Sequence, residues 1–387
     1  MRSPKLSLNT FLSYSPCQTS LLLHDIHKIA FSTLRGITPQ LASEILCRIG
    51  DESTFFAESE SRLAAVLGFK SKILDRQYRD TLLEKAEKEI AFIDAHNIKV
   101  TCFDDPGYPE RLRHCDDAPM ILYSLGECDF NSSHVVGIVG TRHATPYGID
   151  FVINLIKGLS EKLDDLIIVS GLAYGIDIAA HRASLHNNVP TVAVLAHGLN
   201  TIYPAPHRNT AAEIVKSGGA LITDYMSQDR LHKGNFLARN RIVAGLCDCL
   251  VVAESAEKGG ALVTARIAAA YNRDVAALPG RTSDKYSAGC NKLIASNIAT
   301  LIGSDNDLIE MMGWTPRATE GDQKELPLEL SPEEQSVIDH LRQDGESTVN
   351  RMCVTLGIPM HRLMPLLVDM EFNSLILPYP GGKYRLA

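Results

Sequence analysis

Two stretches of this 387-residue chain carry side chains that could do chemistry, and in both the chemistry is the holding of an anion. The first is Gly140-Thr141-Arg142, which ends the apolar run Val135, Val136, Ile138, Val139. A strand that stops in a glycine turn and opens a helix aims free backbone N–H groups at one point. The helix N-terminus adds partial positive charge there. Arg142 adds a full charge with planar, forked donors where a phosphate would sit. The second stretch spans 230–241, where Arg230, Lys233, Arg239 and Arg241 occur with no acid. His232, Asn235, Phe236 and Asn240 interleave with them. Cations neutralise phosphates, and an aromatic ring stacks on an unpaired base. The stretch reads as a basic loop leading into a helix over 242–246.

The elements that must position these residues follow from the hydrophobic pattern. Apolar strands recur over 135–139, 166–169, 191–195, 220–223, 249–253 and 274–278, with helical segments between them. Amphipathic helices are expected over 145–162, 209–217 and 261–272. Strand–helix alternation with continuously apolar strands means a parallel sheet covered on both faces. Ligands of such a sheet sit at the carboxyl ends of its strands. Glycines follow those ends at Gly140, Gly171, Gly198, Gly259-Gly260 and Gly280. Their turns can line one crevice with backbone donors, and Gly140, Gly171, Gly259 and Gly260 are the expected phosphate holders. Glycine is expected there because the backbone must come close to a ligand.

Composition narrows the classes. The net charge of −8 excludes binding of nucleic acid through the whole surface, so an anion site must be local. No apolar run approaches the roughly 18–20 residues of a membrane span, and Leu21-Leu22-Leu23 is too short for a signal peptide. A cytoplasmic protein without membrane association is expected. The nine Cys include no C-x-x-C pair, and the 13 His show no H-E-x-x-H spacing. Cys247 and Cys249 read as small buried hydrophobes on the start of a strand. Neither a metal nor a cofactor is expected.

Residues 1–24 read as a mobile tail. The pattern over 25–97 is helical, ending in a long amphipathic helix over 76–96. Gly36-Ile37-Thr38-Pro39 sits between two helical runs there, which resembles a helix-hairpin-helix, but the turn lacks a second glycine. This segment is expected to be a helical packing domain of sterile-alpha-motif (SAM) or helix-hairpin-helix kind. The α/β segment covers 98–312, and 313–330 reads as a linker. A last domain over 331–387 opens at Ser331-Pro332-Glu333-Glu334, a cap followed by Pro at the first helical position. Three short helices and strands around 374–377 and 383–386 fit a winged helix. It carries five Lys/Arg against seven Asp/Glu. That balance weighs against reading a duplex groove and towards a protein-interaction module or a structural cap.

The ordered motifs resemble the DNA-processing protein A family, also called Smf. They are Tyr108-Pro109 with Leu122-Tyr123; Gly140-Thr141-Arg142 with Tyr147-Gly148; and Ser170-Gly171-Leu172-Ala173-Tyr174-Gly175-Ile176-Asp177 with Ala180-His181. Gly198-Leu199, Tyr203-Pro204, Phe236 with Arg239-Asn240-Arg241, and Leu278-Pro279-Gly280 complete the set. The resemblance implies an extended Rossmann-like domain that binds single-stranded DNA rather than a dinucleotide. It implies a homodimer and a recombination mediator that hands the strand to RecA recombinase in natural transformation, in competent cells. Strand contacts carry over to Arg142, Lys233 and Phe236. With the residue-level reading, the expected DNA-binding set is Gly140, Thr141, Arg142, Ser170, Gly171, Lys233, Phe236, Arg239, Asn240, Arg241, Gly259 and Gly260. The chain departs from the family pattern at Gly259-Gly260-Ala261, where Ser-Gly-Ser is usual, and at Leu237, where a Pro is frequent.

The leading expectation is therefore a binder with no catalytic residue. The alternative is a nucleotide-hydrolysing Rossmann-like enzyme of the phosphoribohydrolase kind. The stretch Lys258-Gly259-Gly260-Ala261-Leu262-Val263-Thr264 lacks that group's Pro, later Gly and Glu, leaving Glu254 or Asp177 as substitute acids. A third reading is a scaffold acting through its terminal domains.

Overall fold

The computed structural model describes residues 24–317, 330–372, 375–379 and 381–386, and its contacts divide the chain into two compact units after Arg317. The expected tail lies outside the described residues except at its last position, as does the expected linker over 318–329.

The first unit opens with five helices: α1 (His24–Ser32), α2 (Pro39–Ile49), α3 (Glu52–Ala57), α4 (Glu60–Leu67) and α5 (Arg76–His96). Each of the last four begins where a side-chain oxygen can accept from an orphan amide. Thr38, Asp51, Ser59 and Asp75 accept from Leu41, Thr54, Arg62 and Tyr78 N–H. The buried Arg79 guanidinium knits them together by donating to the carbonyls of Phe55, Phe56, Glu58 and Leu74. Glu89 of α5 is buried too, and its carboxylate accepts from Ser227 N–H at 2.9 Å and from Ser227 Oγ at 2.5 Å. The helices are thereby fixed to the loop that precedes the basic stretch.

The chain then alternates β1 (Lys99–Cys102), α6 (Glu110–Arg113), β2 (Ile121–Leu125), β3 (His134–Val139), α7 (Pro146–Lys162), β4 (Leu166–Ser170), α8 (Ile176–His186), β5 (Thr191–Val194), α9 (Arg208–Lys216), β6 (Ala220–Thr223), α10 (Lys233–Leu246), β7 (Cys249–Val252), α11 (Gly260–Ala270), β8 (Asp274–Ala277), α12 (Ala288–Ala295), β9 (Thr300–Leu301) and α13 (Asp305–Met312). The strands form one sheet in the order β1-β2-β6-β5-β4-β3-β7-β8-β9. Seven pair in parallel, and β1 and β2 extend the sheet antiparallel beyond β6. The sheet is thus α/β and largely parallel, as expected, with an antiparallel edge.

Alternate residues of each strand serve opposite cores. Val135 and Val139 join Ile242, Leu246 and Leu262 on the face covered by α10 and α11. Val136 and Ile138 join Val152, Ile156 and Leu159 of α7 on the other. The N-terminal helices share a third core with Ile121, Tyr123 and Leu221 from the β2–β6 edge. No described helix is long and apolar enough to cross a membrane.

The second unit holds α14 (Pro332–Asp344), β10 (Glu346–Thr348), α15 (Val349–Leu356), α16 (Met360–Phe372), β11 (Ile376–Tyr379) and β12 (Lys383–Leu386). Its strands form an antiparallel sheet in the order β10-β12-β11. Ser331 caps α14 in a reciprocal capping box with Glu334. Its core gathers Val337, Leu341, Met352, Leu363, Leu367 and Ile376.

One buried polar group makes the first unit acid-sensitive. His181 of α8 is fully buried, 2.8 Å from Thr191 Oγ1 through Nδ1. The Thr191 hydroxyl donates to Ile168 O, so the imidazole must donate from Nδ1–H and keep Nε2 bare. Nε2 has no partner among the described residues. Burial pushes the His181 pKa down from 6.5 to about 3, with the Arg239 and His207 charges acting in the same direction. The unfolded chain therefore takes up this proton first, and stability falls as pH drops from 6.5 towards about 3. Urea unfolding across that range should show a flatter pH dependence in His181→Leu than in the wild type. Parallel curves would assign the acid sensitivity elsewhere.

Candidate functional site

The strand order reverses between β3 and β7. The chain steps from β3 outward through β4, β5 and β6, then returns through α10 to β7 on the other side of β3. At such a switch point the loops leave in opposite directions and open a crevice at the carboxyl ends. A cavity of about 280 Å³ occupies that position. Its walls include Gly140, Thr141 and Arg142 after β3, Ser255, Gly259, Gly260 and Ala261 after β7, Ala173 in the turn before α8, Asp177 in its first turn, and Phe236, Leu237, Arg239 and Asn240 of α10.

The loops are locked to each other. Thr141 N–H donates to Glu254 O at 2.7 Å, and Ile176 N–H donates to Thr141 O at 3.2 Å. Glu254 is buried, and its two carboxylate oxygens accept from Thr145 N–H at 2.8 Å and Thr145 Oγ1 at 2.5 Å. Thr145 in turn caps α7 by accepting from Gly148 N–H. Both oxygens of the carboxylate that could have replaced a missing catalytic acid thus hold a helix terminus. Asp177 accepts from Ala173 N–H at 3.3 Å, and burial pushes its carboxyl up, opposed by Arg239.

The basic stretch is not a loop. Helix α10 begins at Lys233, nine residues before the expected start at 242, and carries the expected contacts along one rod. Lys233 lies in its first turn and is exposed. Phe236, one turn on, is half-buried and packs tilted against Tyr203 with centroids 5.6 Å apart. The Arg142 guanidinium lies 5.5 Å from the Phe236 ring centroid. The two stretches picked out in the sequence, about a hundred positions apart, therefore meet at one mouth. Neither Arg142 nor Lys233 has a carboxylate partner among the described residues.

Several expected contacts turn inward instead. Arg239 is buried, and its Nη1 donates to Gly171 O at 2.7 Å and to Val194 O. Arg239 also lines the crevice, and its guanidinium bridges the ends of β4 and β5. Burial lowers its pKa, with the Asp177 charge opposing. Arg241 pairs with Asp224 at 2.5 Å and donates to Asp117 O at 2.6 Å. Ser170 is fully buried, with Oγ donating to Ile138 O at 2.6 Å. These three side chains bond to groups of the fold itself, Arg239 and Ser170 from buried positions and Arg241 from a half-buried one. Asn240 lines the crevice as expected.

The glycines answer mostly to the protein itself. A Cβ on Gly140 would overlap Ile176, and one on Gly171 would overlap the Arg239 guanidinium. One on Gly198 would meet Met226 O, on Gly259 the Ser255 hydroxyl, and on Gly280 the Ser287 hydroxyl. Gly260 alone in this series faces open space. The expectation that a ligand's approach dictates these glycines is thus corrected for the rest. The free amides are likewise narrowed. Gly259 N–H donates to Ala256 O, whereas Gly260 and Ala261, in the first turn of α11, have no acceptor among the described residues.

Sequence reasoning missed the aromatic rim as a surface. Tyr147, Tyr174 and Tyr203 are 51%, 44% and 45% exposed beside these loops. Tyr174 stands edge-on to His207. The available signal was a tyrosine three to seven residues after each of the turns at Gly140, Gly171 and Gly198.

Comparison with known proteins was made against this geometry. The family model described as DNA recombination-mediator protein A matches residues 99–313. The Smf protein of Synechocystis is 35% identical over 309 residues, covering 77% of this chain and 75% of the relative. The X-ray structure of DNA processing protein A from Streptococcus pneumoniae aligns with a TM-score of 0.59 and 29% identity, covering 75% of this chain and 98% of that one. DNA processing protein A from Helicobacter pylori, solved in a study of its single-stranded DNA binding mode, aligns at a TM-score of 0.50 and 29% identity, covering 56% and 95%.

The two kinds of glycine should separate on substitution. Gly171→Ala must displace the Arg239 guanidinium and should lower the thermal midpoint by several degrees, as expected for about 2 kcal/mol of lost packing and hydrogen bonding. Gly260→Ala should leave the midpoint within about one degree, because nothing opposes the added methyl. Equal shifts in differential scanning fluorimetry would contradict this division.

Proposed function

The chain belongs to the DNA recombination-mediator protein A family, and from that premise we propose that it binds single-stranded DNA in the β3–β7 crevice, with little sequence preference, and passes the strand to RecA recombinase. The observation that carries this reading is the meeting of an uncommitted cation and a half-exposed aromatic, Arg142 on Phe236, at the crevice mouth. Lys233 stands one helical turn away on α10.

Magnitudes order the events. An exposed cation–π contact is worth about 0.5–1 kcal/mol. Stacking of an unpaired base on an aromatic is worth about 1–3 kcal/mol. A base arriving at Phe236 therefore displaces the guanidinium from the ring face. Arg142 then swings onto an adjacent phosphate, where it forms charge-assisted, forked hydrogen bonds. Lys233 neutralises a neighbouring phosphate, and the Gly260 and Ala261 N–H groups at the start of α11 donate to a third. None of these contacts reads a base edge, so sequence preference is slight.

The protein acts as a binder rather than an enzyme in this reading. Supporting it, both Glu254 oxygens accept from Thr145, and Asp177, on the crevice wall, accepts from the Ala173 amide. The working state is a cytoplasmic homodimer serving recombination, including natural transformation where the host takes up DNA. The second unit, with its three helices and three-stranded antiparallel sheet, is read as a winged-helix-like module that meets protein rather than a DNA groove, because five Lys/Arg against seven Asp/Glu give it no basic face.

Fluorescence anisotropy with an oligothymidine strand and with matching duplex, across a salt series, tests the site. Arg142→Ala and Lys233→Ala should each weaken single-strand binding by about tenfold and lower the slope of log K against log salt by about 0.7. Phe236→Ala should weaken binding with the slope unchanged. Unaltered affinity and slope in both charge variants would sink the assignment.

A further inference from the structure

The strand path does not end at Arg142. On the side of the crevice away from α10, the loop between β8 and α12 (residues 278–287) carries an exposed cluster that the crevice contacts do not use. His143, the residue after Arg142, is exposed, and its ring runs nearly parallel to that of Tyr286, at 25° with centroids 6.2 Å apart. Lys285 places its ammonium 5.3 Å from the Tyr286 ring centroid. Arg281 is exposed in the same loop. Neither Lys285 nor Arg281 has a carboxylate within ion-pair distance among the described residues. With Asp284 the loop carries a net charge of +1 within a chain of −8.

Two features separate this loop from an ordinary solvated one. It is docked on the crevice wall itself. Ser255, which lines the crevice, donates its N–H to Tyr286 O at 2.6 Å and accepts from Gly289 N–H at 2.9 Å. It is also held rigid. The Asn291 side chain exchanges two hydrogen bonds with Gly280, accepting from its N–H at 3.2 Å and donating to its carbonyl at 2.9 Å. Tyr147 Oη donates to Pro279 O at 2.7 Å. A backbone held in place thus presents an aromatic pair, with Lys285 on its Tyr286 face and Arg281 in the same loop, one residue from the cation at the crevice mouth. Preorganised aromatic faces interleaved with cations bind unpaired bases and their phosphates.

We propose that His143, Tyr286, Lys285 and Arg281 form a second contact for single-stranded nucleic acid, taking the nucleotides that leave the crevice past Arg142. This rests on the crevice binding a single strand. The loop sets the length of strand engaged and the side on which it emerges. A duplex cannot use it, because its bases are not free to stack.

The test uses the full-length protein and strands of two lengths, about five and about twenty nucleotides. Lys285→Ala and Tyr286→Ala should bind the long strand about fivefold more weakly than wild type and the short strand equally well. The salt slope on the long strand should fall by about 0.7 in Lys285→Ala and stay unchanged in Tyr286→Ala. Tyr286→Phe should restore long-strand affinity, which separates stacking from damage to the loop. Wild-type affinity of both alanine variants for the long strand overturns the proposal. So does a loss of equal size on both lengths, or a matching loss on duplex, which would mark general charge attraction. If Arg142→Ala weakens binding of both strands while the loop variants do not, the crevice stands and only this extension falls. If the wild type binds neither strand, both fall together.

Discussion

A buried guanidinium in the crevice wall, laid across the ends of two parallel strands, sets the geometry of what surrounds it. Arg239 reaches down from α10 to the carbonyls of Gly171 and Val194, the points where β4 and β5 leave the sheet. Burying a charge there is costly, and burial indeed lowers its pKa. Truncating it would leave two strand-end carbonyls and Asp177 without their counterpart, so the helix cannot roll or slide on the sheet without large loss. Because Arg239 points inward, Phe236 and Lys233, three and six residues earlier on the rod, are carried to the mouth. Gly171 is part of the same constraint, since any side chain there would occupy the guanidinium's place.

The glycine turns follow from a related demand. Loops leaving adjacent parallel strands must pack against each other within a few ångströms before any of them can face a ligand. Gly140 lets Ile176 and the Glu254 carbonyl close over the end of β3, and Gly148 leaves room for the Glu254 carboxylate that caps α7 through Thr145. The crevice is narrow because its walls are mutually docked. The phosphate-holding capacity proposed for it would rest on few groups: the start of α11, with Gly260 open to solvent, and the cations Arg142 and Lys233. At this turn the chain has Gly259-Gly260-Ala261, which offers amides and no hydroxyl.

How much of this was legible in the sequence depends on the interaction concerned. The strands 135–139, 166–169 and 220–223 and the helices over 76–96 and 145–162 were readable within a residue or two. Their apolar periodicity, Thr145 as cap and Pro146 at the first helical position are local signals. The start of α10 was not. The segment Lys233-Gly234-Asn235 has poor helix propensity, no acid and no capping side chain at His232. That helix is held by tertiary burial of Ile242, Val243 and Leu246, which no local pattern announces. The antiparallel pairing of β1 and β2 at the sheet edge is a matter of topology, which no local pattern announces. The roles of the arginines were equally hidden. Arg142, Arg239 and Arg241 are chemically identical in the sequence, yet one lies over the Phe236 ring with no carboxylate partner among the described residues, one is buried against strand-end carbonyls and one is paired to Asp224. Sorting free cations from structural ones requires knowing where the carbonyls and carboxylates end up.

That sorting bears on how an acidic protein can hold a polyanion. With a net charge of −8, the long-range field repels DNA, and Arg239 and Arg241 are not free to offset it at the surface. At physiological salt, charges farther apart than about 8 Å are largely screened, so the repulsion is felt mainly on approach. Within that distance a small number of uncommitted cations can prevail, provided their contacts are accompanied by something other than charge. Base stacking on Phe236 is such a term, since it is insensitive to salt and requires an unpaired base. In the proposed binding mode, an acidic surface with a stacking site in a cationic mouth would discriminate between strands by physics alone. A duplex would meet the repulsion with its bases already paired, whereas a flexible single strand would lower one base into the mouth and bring the adjoining phosphates to Arg142 and Lys233.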